Sequence, residues 1–380
     1  MIKIAIVSKK VGIGGVEKAL LSMLCNINYS KICIDLYLPT EEKANLIPQE
    51  IHIKKFESIL SFREFTYKMQ HPIQIFNIFF YLFKSKLLKT TNYVDELNHS
   101  KYFYKKNSKK YDVVISYDGP LGFSTFYSLY NLKANKKKIW IHGNIIQDHV
   151  PKKIIKRYYS QFDEMIFVSK MIRDEFLSYY PEYESKSRVY YNHIEKEKIQ
   201  ELAVQEKIDR LEKLMFLTVA RVSYEKGIDI ALECGKLLKD KDIDFVWYIC
   251  GSGVLLDEMQ KKSNILGVAK NFVFLGEKEN PYPYMEKCDI YIQPSRTEGF
   301  CTTTNEARVL GKAIVTTDVG GMREQFVDHK TALITEISAQ GLSNAVMELL
   351  NNPSLKEEME YNNKNSNFEL NTISLNDILI

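Results

Sequence analysis

Cysteine pairs, long apolar runs and low-complexity tracts are all missing from this 380-residue chain, and each absence removes a class of protein. The six cysteines, Cys25, Cys33, Cys234, Cys250, Cys288 and Cys301, form no C-x-x-C pair and stand mostly among apolar neighbours. They read as reduced, packed thiols, so neither a disulfide framework nor a zinc site is indicated. The longest apolar run, residues 73–83, has 11 residues and contains Gln74 and Asn77. A membrane span needs about 20. The first ten residues hold too short an apolar stretch for a secretory signal and read as a buried first strand. A cytoplasmic protein is expected, with room for association at the inner face of a membrane.

What is present is a strong internal contrast of charge. The whole chain carries 52 Lys+Arg and 48 Asp+Glu, a formal net charge of +4. Residues 1–200 hold 32 basic and 20 acidic side chains, a net +12, whereas residues 201–380 hold 20 and 28, a net −8. Such asymmetry implies that the two halves meet different partners. A hydrophobic content of 45% with 12% aromatics excludes a disordered chain, and the length implies two or three domains with separate cores.

Short β-branched runs alternate with helical-period stretches, the pattern of doubly wound α/β folding. In the first half the predicted strands are 2–7, 32–38, 113–117, 138–142, 165–168 and 188–191. In the second half they are 215–219, 245–250, 272–275, 290–293, 313–317 and 332–334, with helices such as 227–239 and 342–350 between them. Two such series predict two Rossmann-like domains. The expected division is 1–198, 199–365 and a C-terminal tail 366–380, with the polar stretch 195–211 as linker.

Residues 51–110 interrupt the first series with 12 Lys/Arg against 4 Asp/Glu and interleaved Phe and Tyr. Ile75, Ile78, Phe79, Leu82 and Phe83 fall at helical spacing and are followed by Lys84, Lys86 and Lys89. This is either a helix with a solvated basic face, or an amphipathic basic surface that rests on anionic lipid. No recognition motif accompanies the charge, so nucleic acid is not the expected partner.

Candidate chemistry gathers where strands end. The loop from Val11 to Lys18 contains Gly12, Gly14 and Gly15 between a strand and a helix, where backbone can approach a phosphate. A dinucleotide fingerprint fails there, because Glu17 stands where Gly or Ala is required and Asp35 lies inside a strand. These glycines serve a tight turn as readily as a ligand. His142 ends a predicted strand before Gly143, where either a structural or a functional imidazole can stand. Arg221 follows the first strand of the second half and Lys226 precedes the next helix, forming either a pyrophosphate clamp or an ordinary surface pair. Glu298, Gly299, Phe300, Cys301, Thr302, Thr303 and Glu306 lie on a turn leading into a helix, whose N–H groups would meet an anion or sugar hydroxyls. The acidic run Asp240, Asp242 and Asp244 precedes a strand, at the end away from the expected ligand crevice, and reads as a solvated turn.

Together these residues resemble a family. Gly14-Gly15-x-Glu17, strand-end His142, the run Val189 to Asn192, Arg221 with Glu225-Lys226-Gly227, Ile249-Cys250-Gly251-x-Gly253 and Glu298 with Glu306 are similar to the retaining glycosyltransferase family 4 of GT-B fold. The likeness spans roughly residues 1–350 and points to the enzymes that build bacterial surface glycans. It implies two Rossmann-like domains facing each other across a cleft, a nucleotide-sugar (a UDP-sugar) in the C-terminal domain and a glycan or lipid-linked acceptor in the N-terminal one. It further implies that Glu306 holds the ribose and that Arg221 and Lys226 hold the diphosphate. Glu298 and the backbone of residues 300–303 would meet the donor sugar, with His142 at its reacting side and the Gly14-Gly15 loop over the phosphates. Gly251 would belong to the same donor site, and neither a metal nor another cofactor would be needed. Two departures stand out. The stretch from Cys301 to Asn305 is more polar than the family's usual apolar filling, and the chain ends soon after Phe368, so the closing helix is expected to be short or absent. Two other readings remain open at this level: a nucleotide-sugar epimerase of the same architecture, and a non-catalytic partner subunit.

Overall fold

The computed structural model describes residues 1–12, 14–40, 44–57, 100–101, 103–146, 152–208, 213–366, 371 and 373–380. Most of the basic stretch 51–110 therefore lies outside the described residues, including the five apolar positions at helical spacing. The chain divides into two units, Met1–Asn192 with Asn371–Ile380, and His193–Leu370.

In the first unit seven strands make one parallel sheet. They are β1 (Ile2–Val7), β2 (Ile32–Leu38), β3 (Ile51–Lys55), β4 (Lys110–Gly119), β5 (Lys133–Ile141), β6 (Glu164–Phe167) and β7 (Ser187–Val189), in the order β3-β2-β1-β4-β5-β6-β7. The apolar runs of β1, β2 and β4 are continuous rather than alternating because both faces of such a sheet are covered. Helices Gly15–Cys25, Phe123–Tyr130, Lys152–Tyr159 and Lys170–Tyr179 form crossovers, the last opened by Ser169, whose hydroxyl accepts the N–H of Ile172. Strand β3 corrects the sequence reading, which assigned all of 51–110 to an insertion. Its Ile-His-Ile-Lys-Lys run is too short and too polar to stand out, and pairing with β2 decides it.

The C-terminal segment is also part of this unit rather than a loose tail. Asn371 both accepts from the Tyr191 N–H (2.9 Å) and donates to the Tyr191 carbonyl (3.0 Å). The short helix Leu375–Leu379 buries Ile378 and Leu379, and the Ile378 carbonyl accepts from the buried Lys138 ammonium at 3.0 Å. Lys138 also pairs with Glu164 at 2.6 Å, so its burial is compensated on both sides.

The second unit repeats the winding with β8 (Leu214–Val219), β9 (Phe245–Cys250), β10 (Phe272–Gly276), β11 (Ile290–Gln293), β12 (Ala313–Thr317) and β13 (Leu333–Thr335), in the order β10-β9-β8-β11-β12-β13. Alternation along β8 sends Phe216 to one core, with Trp247, Ile249 and Phe272, and Met215 and Leu217 to the other, with Tyr291 and Ile314. The stretch 195–211, expected as a linker, contains helix Lys196–Ala203, and its Ile199 and Ala203 enter that second core. Its polar residues are the solvent face of an amphipathic helix, which composition alone does not distinguish from a linker. Asp240, Asp242 and Asp244 fall between helix Ile228–Lys239 and β9, as a turn. No helix among the described residues is long and apolar enough to cross a membrane. Four cysteines are buried, but Cys25 is exposed and Cys33 half-exposed, against the expectation that all six are packed.

Candidate active site

In both sheets the strand order reverses between two central strands, β1 with β4 and β8 with β11. Ligands of such sheets bind beyond the carboxyl ends of the strands at that reversal. The residues of interest follow those ends in each unit.

In the second unit β8 delivers Arg221, while β11 delivers the segment from Pro294 to Phe300. The two loops are locked together. Gly227, at φ +64°, packs against the Pro294 carbonyl so closely that a Cβ would collide with it. Arg296 grips Asp229 with two bonds of 2.7 and 2.6 Å, stacks over the Tyr224 ring at 4.3 Å, and its N–H donates to the Glu225 carbonyl at 2.8 Å. Gly251 abuts the Ala220 carbonyl beside the β8 end, so its lack of a side chain has a packing cause.

That framework brings Lys226 to Glu298, with Nζ to Oε2 at 2.7 Å. Oε1 of Glu298 accepts from the Ser295 hydroxyl (2.6 Å) and from the Gln293 amide (3.4 Å), and Gln293 in turn accepts from the Tyr291 hydroxyl (2.9 Å). Only 8% of Glu298 is exposed. Burial by itself favours the neutral amine of Lys226, but the Glu298 carboxylate outweighs it and raises the ammonium above its usual range. The two expected cations thus differ. Lys226 is enclosed and already paired, whereas Arg221 is largely exposed and 3.6 Å from Glu225.

Helix Thr302–Val309 begins just beyond, with Cys301 as its N-cap, whose side chain makes no capping hydrogen bond. Phe300 and Cys301 are buried, and Thr303 reaches back to Gln293 at 3.4 Å. Glu306 is buried one turn in and accepts from the Tyr282 hydroxyl at 2.9 Å, which, after burial, helps hold Tyr282 well above its usual range. Gln293, Ser295, Tyr282 and Gly320 escaped the sequence reading. Gly320, at φ +44°, lets its backbone sit against the Glu298 carbonyl, and the adjacent Val319-Gly320-Gly321 turn after β12 was the only sequence signal.

In the first unit Gly14 precedes helix Gly15–Cys25 without a side-chain cap, and the Glu17 carboxylate folds back over it while pairing with Lys10 at 3.0 Å. Space around Gly15 is open. His142 follows β5, its ring 4.6 Å from that of Tyr117. Both ring nitrogens are enclosed, and burial pushes the imidazole down to about 3 against the opposing effect of a hydrogen bond with the Tyr117 backbone. Next to it at the reversal stands Asp118, which sequence reading passed over. Its carboxylate accepts from the Ser8 hydroxyl (2.9 Å) and the Lys9 N–H (2.5 Å), and burial raises it to about 6.

Residues 199–366 match the family model of glycosyl transferases group 1. This stretch is therefore similar to group 1 glycosyl transferases. Over 189 residues the chain is 29% identical to the N-acetylgalactosamine-N,N'-diacetylbacillosaminyl-diphospho-undecaprenol 4-alpha-N-acetylgalactosaminyltransferase of Campylobacter jejuni, covering 50% of each chain. It is 25% identical over 337 residues to the N,N'-diacetylbacillosaminyl-diphospho-undecaprenol alpha-1,3-N-acetylgalactosaminyltransferase of the same organism, covering 83% of this chain and 84% of that one. Other curated relatives are spanned less fully, down to 39% of an uncharacterized glycosyltransferase of Methanocaldococcus jannaschii. Among solved structures, Anabaena Alr3699/HepE in complex with UDP superposes with a TM-score of 0.65 at 14% identity, covering 96% of this chain and 94% of that one. These likenesses agree on the architecture: two parallel-sheet Rossmann-like domains with GT-B neighbours. Within the matched stretch, Arg221, Lys226, Glu298 and the opening of helix Thr302–Val309 all stand at the carboxyl side of one reversal.

Proposed function

We propose that this protein is a retaining glycosyltransferase that moves a hexose-type sugar from a nucleotide-sugar, a UDP-sugar, to a glycan or lipid-linked acceptor in surface-polysaccharide assembly. The observation that carries the reading is the Lys226–Glu298 pair, beside Arg221 and a helix start with no capping side-chain bond from Cys301, at the strand-order reversal of the stretch that matches group 1 glycosyl transferases. As the bond to the sugar breaks, negative charge gathers on the leaving diphosphate. Fixed cations and oriented N–H groups stabilise such charge without reorganisation, so the transfer needs no metal. Largely exposed beside Glu225, Arg221 can fork across two phosphate oxygens, and the Lys226 ammonium has three donors to divide between Glu298 and phosphate. Glu306 is assigned to the ribose and Glu298 to hydroxyls of the sugar. Neutral His142 is suited to a hydrogen bond rather than to a charge contact.

Support for UDP comes from HepE, whose crystals hold it, and support for a lipid-linked acceptor comes from the Campylobacter relatives, named for undecaprenol-linked substrates. The basic excess of residues 51–110, net +8, fits an acceptor presented at an anionic membrane. The test is binding of UDP-sugars to the Arg221→Ala, Lys226→Ala double variant. A loss of at least about 100-fold in affinity is expected from two charge-assisted contacts, and unchanged affinity overturns the clamp.

A further inference from the structure

We propose that Cys33, Asp35 and His52 form a zinc-binding site that fastens edge strand β3 to β2. The inference is independent of the transfer reaction and lies toward the amino half of the first sheet, away from the strand ends that carry the candidate chemistry.

Parallel pairing creates the site. Cys33 and Asp35 are two apart on β2 and share a face, and the register sets His52 of β3 beside Asp35. One ligand atom from each lies within 4.8 Å of the other two. Cys33 Sγ is 3.7 Å from His52 Nδ1, and Asp35 Oδ1 is 3.4 Å from the same nitrogen. Tetrahedral zinc has bonds of about 2.3 Å to sulfur, about 2.05 Å to nitrogen and about 2.1 Å to oxygen, so its S–N and N–O edges are about 3.6 and 3.4 Å. Two edges of such a face are thus already at bonding length, and the third pair of atoms lies within 4.8 Å.

A second observation points the same way. The Asp35 side chain is 1% exposed, yet its Oδ1 accepts no hydrogen bond. Its other oxygen is fully engaged, accepting from Lys109 Nζ at 2.5 Å and from the Tyr111 hydroxyl at 2.6 Å. Those partners keep the carboxylate ionised and turned, as outer-shell groups do for a metal ligand. A buried carboxylate oxygen that accepts no hydrogen bond among the described residues, 3.4 Å from an imidazole nitrogen and within 4.8 Å of a thiol, completes a ligand set of borderline softness that suits zinc. Zinc would displace one proton from the Cys33 thiol, giving a thiolate–zinc bond and releasing that proton to solvent. His52 is 61% exposed at its side chain, so water can occupy the fourth position.

Protein stripped with a chelator and dialysed is titrated with zinc by calorimetry, and separately with cobalt by absorption. One equivalent of zinc is expected, together with a thiolate-to-cobalt charge-transfer band and intense tetrahedral d–d bands. Cys33→Ser and His52→Ala are each expected to weaken zinc by at least about tenfold, the smaller effect of losing even an outer-shell partner. His52 is exposed, so its variant keeps the fold and carries the test if Cys33→Ser does not. Absence of stoichiometric binding overturns the proposal. Equal affinity in both variants, or cobalt spectra without the thiolate band, overturns it too.

Discussion

Lys226 Nζ lies 2.7 Å from Glu298 Oε2, so a cation expected to meet phosphate and a carboxylate expected to meet sugar are bound to each other. Each neutralises the other's burial, and a donor entering the site would have to share both. Replacing Lys226 by Met strands the Glu298 charge, which should cost about 3 kcal/mol of stability in the second unit, by analogy with other broken buried pairs. Adding Glu298→Gln should restore much of that stability while activity stays down by about 100- to 1,000-fold. Chemical denaturation and single-turnover rates measured on the same three proteins separate the two effects. If the double variant regained activity, the pair would be structural only.

His142 and Asp118 should pull the acid stability of the first unit in opposite directions. Burial holds the folded imidazole at about 3, below its usual 6.5, so from about 6.5 down to 3 the unfolded chain binds the extra proton and stability falls. Asp118 is raised from 3.8 to about 6, so over that interval the folded chain binds the extra proton and stability rises as pH falls. His142→Phe should therefore flatten the acid loss, and Asp118→Asn should remove the opposing gain. Urea midpoints at pH 7, 5.5 and 4.5 check both signs.

Rates give a second reading of the same imidazole. A side chain neutral throughout the physiological range contributes no limb near 6.5 to the pH profile of kcat/KM. A limb near 6.5 that vanished in His142→Gln would show that the imidazole titrates normally and that its enclosure is not as described.

Gly320 and Gly15 should behave differently when a methyl is added. At Gly320 a Cβ meets the Glu298 carbonyl and φ is positive, so Gly320→Ala should cost about 1–3 kcal/mol. At Gly15 nothing lies within 4 Å and the residue opens a helix, so Gly15→Ala should leave the melting temperature unchanged or slightly higher. A fall in turnover for Gly15→Ala without loss of stability would give that loop a part in the transfer.

Chelation distinguishes the two roles a metal could have. Turnover should survive EDTA, because Arg221, Lys226 and the helix start supply the positive charge. If EDTA lowers turnover and His52→Ala lowers it equally, the loss belongs to the β2–β3 site. If His52→Ala is fully active and still EDTA-sensitive, the metal-free transfer is wrong.

Periodicity and punctuation along the chain were enough to fix the two doubly wound units, because parallel strands buried on both faces leave unbroken apolar runs such as Ile2–Val7 and Phe245–Cys250. The same local patterns put Arg221, Lys226, Glu298 and the helix after Cys301 at strand ends. Tertiary structure decided what local patterns cannot contain. Strand β3 exists because β2 offers it an edge, helix Lys196–Ala203 belongs to the second core because Ile199 and Ala203 bury there, and the last ten residues join the first unit through Asn371 and Lys138. Six cysteines without a C-x-x-C pair argued against zinc, since that signal depends on ligands close in sequence. Cys33 and His52 are 19 residues apart, and only the parallel register of two strands sets them 3.7 Å from each other, beside a carboxylate oxygen that accepts no hydrogen bond among the described residues.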